Sequence, residues 1–210
     1  TRHIMLDTVA HGIRLLGELG PSARLVAGGT DLFVELQRRA HPGVTTLLDL
    51  TSVDGLGEIE DLGDEVRIGA LVTHNQVAGS ALCQDTLTPL AQACREIGAP
   101  ALRNRATIIG NVVTASPAND TIGPLRALDA WLVIVGPEGI RDVPVAKFHT
   151  GVRRTVLEPG EIVTHAVVPK LGPSRSAVFV KAGLRAAQAI SLVNATVLID
   201  RTNGRVSDVR

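Results

Sequence analysis

The sequence predicts an α+β fold, and three observations predict it. Apolar residues recur at helical spacing in some segments and form short continuous or alternating runs in others. Helix-like and strand-like runs alternate over the first fifty residues, whereas strand-like runs dominate after Trp131. The composition is that of a globular chain: of 210 residues, 45% are hydrophobic and 20% charged.

The elements follow in order. Val9, Ile13, Leu16 and Leu19 predict a helix over Thr8 to Leu19, stopped by Gly20 and Pro21. Arg24 to Ala27 reads as a short buried strand, Gly28-Gly29-Thr30 as a turn, and Asp31 to Arg39 as a helix broken by Pro42-Gly43. Thr45 to Leu50 is a second strand, so the first unit reads α-β-α-β. Val66 to Ile68 is a strand. Thr73 and Gln76 have capping-box spacing and open a helix toward Ser80. Leu87 to Ile97 is a helix with Leu90, Ala91, Cys94 and Ile97 on one face, ended by Gly98-Ala99-Pro100. Thr107 to Ile109 reads as strand, and Pro124 to Ala130 as helix with its proline in the first turn. Trp131 to Val135, Ile162 to Val168, Ala177 to Lys181 and Ile190 to Asp200 read as β, with a hairpin-like turn at Pro137 and Gly139. The best boundary lies between Asp49 and Gly63, and a weaker one between Pro169 and Ser174.

Charge and composition exclude several functions. The 21 basic and 21 acidic residues cancel, and the basic pairs Arg103/Arg105 and Arg153/Arg154 are too short for a nucleic-acid footprint. Aromatics are 2% of the chain, with no Tyr, which argues against stacking platforms for single strands. Cys83 and Cys94 are too few for a disulfide scaffold or a four-thiolate cluster, and Cys94 reads as a core residue. The six histidines have no ligand-like spacing. No apolar run reaches membrane-spanning length and no signal-like segment opens the chain, so the expected location is the cytoplasm, with no membrane and no nucleic-acid partner. The start at Thr1 and the stop at Arg210 inside a strand-like pattern read as ends that are not the natural ones.

Two glycine-centred segments carry the functional signal. One is Leu25-Val26-Ala27-Gly28-Gly29-Thr30-Asp31-Leu32. The other runs from Arg103 through Thr107-Ile108-Ile109-Gly110-Asn111 to Asp120. Each places small residues and backbone amides at the end of an apolar run. Glycine lacks the Cβ that blocks close approach, and successive N–H groups make an anion cradle. Two such loops predict one long dinucleotide lying across both.

The ordered set resembles a known family. Ala27 to Leu32, Ile68-Gly69-Ala70, Arg103 to Asn111, Thr114-Ala115-Ser116-Pro117 with Asp120, Leu128-Asp129-Ala130, Gly160 to Val163 and Phe179-Val180-Lys181 resemble the FAD-binding medium subunit of the molybdenum hydroxylases. That family includes xanthine dehydrogenase and aerobic carbon monoxide dehydrogenase. The resemblance implies a two-part FAD-binding domain of the vanillyl-alcohol-oxidase type, followed by a truncated C-terminal α/β domain. The units would be 1–54, 55–172 and 173–210. It implies that Leu25 to Leu32 hold the FAD pyrophosphate, and that Thr107, Gly110 and Asn111 form a second wall around the phosphates and ribityl chain. It also implies that Asp120 binds a ribose hydroxyl or adenine-side donor, that Ile97 and Val163 give apolar contact, and that Lys181 lies near the flavin or its phosphates. The implied activity is FAD-dependent oxidoreduction within a complex. A small [2Fe–2S] subunit would supply electrons, a large molybdenum-cofactor subunit would oxidise substrate, and NAD, a quinone or oxygen would be the acceptor.

The pattern departs at Ile109, where the family carries a second glycine. Either the backbone there is unremarkable or the cofactor site is altered. A stand-alone flavin oxidase or dehydrogenase, and a non-catalytic scaffold of the same fold, are the alternatives. Asp120 opens an apparent helix, so capping competes with ligand binding. His74 reads as structural at its helix start, and Asn104 as a partner for loop backbone.

Overall fold

The structure, a computed structural model, describes residues 2–185 and 188–210. Three main sheets organise it. The first is parallel, with Thr46–Asp49 in the middle, flanked by Arg2–Met5 and Ala23–Val26. Helices Val9–Leu19 and Leu32–Gln37 make the connections that parallel strands require. Thr8 caps the first by accepting the His11 amide, and its apolar stripe packs on the core. The unit therefore reads β-α-β-α-β: the strand Arg2–Met5 was not foreseen, because His3 and the exposed flanks hide any alternation.

The second sheet is antiparallel, in the order Ile59–Asp61, Glu65–Gly69, Ile162–Pro169, Trp131–Gly136, Gly139–Pro144. Its central strand is buried almost throughout, Thr164 included. Helices His74–Gly79, Ala81–Thr86, Thr88–Glu96, Ile108–Thr114 and Ile122–Ala127 belong to the same unit. Ile68, Leu90, Ile108, Leu125, Leu132, Ile134, Phe148 and Ile162 are fully buried in a core that also takes in Leu6 and Leu48 of the first unit. The third sheet pairs Arg175–Gly183, Ser191–Thr202 and Arg205–Val209 antiparallel. A small two-stranded pair, His149–Gly151 with Arg154–Thr155, completes the set.

One expected element is corrected. Thr107 to Ile109 is not a strand. Thr107 is the N-cap of the helix Ile108–Thr114, accepting the Gly110 amide at 3.0 Å. Ile108, Ile109 and Val112 form its buried face. Burial of that face, with a side-chain cap at its start, outweighs the weak β preference of adjacent isoleucines. No helix among the described residues is long and apolar enough to cross a membrane.

Candidate cofactor site

The site lies where the first sheet's strands end. Ala23–Val26 runs into the turn at Gly28 and Gly29, and the second glycine-centred segment comes up beside it from the other unit. A Cβ on Gly28 would overlap the Arg105 carbonyl, so only glycine lets these two main chains touch. Gly29 sits at φ +73°, the left-handed region that glycine occupies without strain. Thr114 Oγ1 lies 3.5 Å from Asp31 Oδ2 across the same gap. The second wall is also pinned from behind. His74 donates its amide to Ala106 O at 3.0 Å, and Ile108 donates to Val72 O at 3.0 Å.

Between the walls is an open cleft of about 200 Å³. All of Leu25 to Leu32 line it, together with Thr107, Gly110, Asn111 and Val163. Its chemistry is set by main chain. Gly28, Gly29, Thr30 and Asp31 donate their backbone N–H groups to no protein acceptor among the described residues. Gly28, Gly29 and Thr30 are half-buried and Asp31 is exposed, and four successive unpaired amides beside a cleft fit an anionic bridge.

Ile109 also lines the cleft, from within a right-handed helical turn and 4% exposed. Its backbone is therefore unremarkable, and its β-branch carries no left-handed strain. Glu161 reaches the wall too, but Arg141 grips it through two bonds of 2.6 and 2.7 Å. That grip holds the Glu161 carboxyl below its ordinary range and neutralises its charge against an incoming anion.

Ile97, Asp120 and Lys181 do not line this cleft. They gather at the junction with the third sheet. Lys181 Nζ donates to Asp120 Oδ2 at 2.7 Å and to the Glu96 carbonyl at 3.0 Å, next to Ile97. Ser191 donates to Asp120 Oδ1, and Asn194 does so at 3.1 Å. Asp120 is not a cap: Thr121 holds that position before the helix Ile122–Ala127.

The sequence favours a structural role for His74 at its capping turn. Its main chain is indeed fixed by the capping box, with Thr73 N to Gln76 Oε1 at 2.8 Å. The residue, however, is fully buried and lines the cleft. Burial first, then the Arg103 charge, lowers its pKa to about 4, so it is neutral. No spacing rule marks it in the sequence, because its place depends on the Thr73–Thr107 pairing across the fold.

Residues 3–171 match the family described as the FAD binding domain in molybdopterin dehydrogenase. The chain belongs to this family. Among relatives of this FAD-binding domain, the carbon monoxide dehydrogenase medium chain of Hydrogenophaga pseudoflava is 36% identical over 163 residues. That match covers 77% of the chain and 56% of the relative, so the chain spans little more than half of that protein. The putative xanthine dehydrogenase FAD-binding subunit of Escherichia coli (strain K12) is 32% identical over 206 residues, covering 97% of the chain and 70% of the relative. The solved carbon monoxide dehydrogenase of Hydrogenophaga pseudoflava, in a form lacking the Mo-pyranopterin moiety, superposes with TM-score 0.95 at 30% identity, covering 100% of the chain and 72% of its counterpart. Quinoline 2-oxidoreductase from Pseudomonas putida 86 superposes with TM-score 0.91 at 26% identity, again covering 100% and 72%. The FAD-binding domain is an α+β unit on these grounds as well.

Proposed function

We propose that this chain carries the flavin of a molybdenum hydroxylase-type dehydrogenase. It accepts electrons from a [2Fe–2S] partner subunit and passes them to NAD, a quinone or oxygen, while a molybdenum-cofactor subunit oxidises the substrate. The observation that carries the proposal is the run of four unpaired amides, Gly28 to Asp31, facing a second glycine-bearing wall across one cleft. When bound, FAD supplies the redox chemistry, and the protein supplies binding, orientation and electrostatics.

The geometry supports the following residue roles. The amides of Gly28 to Asp31 hold the diphosphate. Gly110 and Asn111 border the adjoining stretch, with the Thr107 cap fixing their turn. Leu25, Val26, Ala27, Leu32 and Val163 exclude water along the walls. Asp120 and Lys181 spend polar atoms on each other, which supports a role in fastening the third sheet beside the flavin region, with Ile97 as apolar neighbour. Ile109, unstrained in its helix, gives no support to a scaffold that has lost its cofactor.

The architecture we assign is the two-part FAD-binding type of vanillyl-alcohol oxidase, with units 1–54 and 55–172 meeting at the cleft. Residues 173–210 belong to a C-terminal domain. Exposed Val178, Val180, Val193 and Val197 on its sheet support that reading.

Purified protein, loaded with FAD and desalted, tests the proposal. Retention of about one flavin per chain, seen as visible absorbance, is expected. A colourless protein after loading overturns it.

A further inference from the structure

His74 is a buried group that the proposed function does not use. The residue is fully buried and lines the cleft between the two loops. Nδ1 lies 3.6 Å from Cys94 Sγ, whereas Nε2 has no hydrogen-bond partner among the described residues. A buried, unpaired ring nitrogen is costly, and one on a cleft wall points to a ligand group. The main chain that carries the ring is fixed, because Thr73 pairs with Thr107 and the His74 amide is bound to Ala106.

The neighbouring thiol decides which role Nε2 plays. Burial pushes the Cys94 thiol well above its ordinary pKa, so it keeps its proton. The imidazole is neutral and carries one proton. A thiol donates to an imidazole nitrogen better than it accepts from one, so the assigned arrangement is S–H to the Nδ1 lone pair, which leaves the ring proton on Nε2. The bridge of a dinucleotide is rich in acceptor oxygens and matches such a donor.

We infer that His74 is a cofactor-contacting residue whose Nε2–H donates to an oxygen of the dinucleotide between the Gly28–Asp31 loop and the Thr107–Asn111 turn, with Cys94 setting the tautomer. This rests on the FAD reading above. It adds a side-chain contact to walls otherwise dominated by main chain and apolar groups.

The test is nuclear magnetic resonance of protein labelled with ¹⁵N-histidine, before and after addition of FAD. The expected result is a proton-bearing Nε2 and a bare Nδ1 in both states, with FAD shifting the Nε2–H resonance downfield. A proton on Nδ1 overturns the inference, and so does an Nε2–H signal that FAD leaves unmoved while the flavin is retained. Either result leaves the FAD reading standing. Failure to retain flavin at all takes both down. A second arm uses two variants checked for folding by circular dichroism. His74→Gln, which keeps a terminal N–H, should bind FAD within about fivefold of the parent, and His74→Leu should weaken it by about tenfold or more. Equal weakening in two folded variants would make the ring structural and overturn the inference.

Discussion

His74 couples folding to acidity. Its folded pKa of about 4 lies below the ordinary 6.5, chiefly because the ring is buried. The unfolded chain therefore binds the extra proton first. The contribution is fully present above pH 6.5 and is lost as pH falls through that value toward 4, by roughly 3 kcal/mol in all. Urea unfolding between pH 7 and 5 should show this slope in the parent and a shallower one in His74→Gln; parallel slopes would refute it. At Asp120 and Lys181 burial is met by pairing. Both side chains are nearly inaccessible, at 5% and 7%. Lys181→Met strands a buried carboxylate and should cost about 3–5 kcal/mol. Adding Asp120→Asn should restore much of that loss, and a single-variant loss below about 1 kcal/mol would show that the pair is solvated.

Elements differ in how plainly the sequence announces them. The helix Val9–Leu19 is legible because its apolar residues, its Thr8 cap and its Gly20 stop agree. So is the Thr73–Gln76 capping box. The helix Ile108–Thr114 is not, because two adjacent isoleucines mimic a strand and the deciding fact is which face meets the core. The sequence singles out both glycine-bearing segments, and both line the one cleft. The Asp120–Lys181 pairing was not, because it joins residues 61 positions apart through a sheet whose register no local pattern gives. Two substitutions probe the misread helix. Thr107→Val removes the cap and should lower stability by about 1 kcal/mol in thermal unfolding. Ile109→Gly empties a buried site and adds a helix glycine, so it should cost about 3–5 kcal/mol. It should shift FAD affinity by less than about threefold, since no backbone strain is relieved. A sharp gain in affinity would mean that Ile109 obstructs the cofactor.

At the scale of the whole molecule, two units with separate sheets share one hydrophobic core and face each other across the cleft. Neither unit alone presents both walls. The Gly28–Arg105 contact sets how near the walls stand, and the Asp120–Lys181 pair ties the third sheet to the helices behind them. The family match ends at residue 171, just past the second sheet's last strand, Ile162–Pro169.

The unpaired run from Gly28 to Asp31 has a consequence for solvent isotope uptake. Main-chain hydrogens without an acceptor are open to replacement by deuterium within moments, whereas those clasped by a bound anion are withheld. Mass spectrometry of a peptide spanning Leu25 to Phe33 should find fewer deuterons in flavin-loaded than in flavin-free protein. Uptake that is equal in both would place the diphosphate elsewhere.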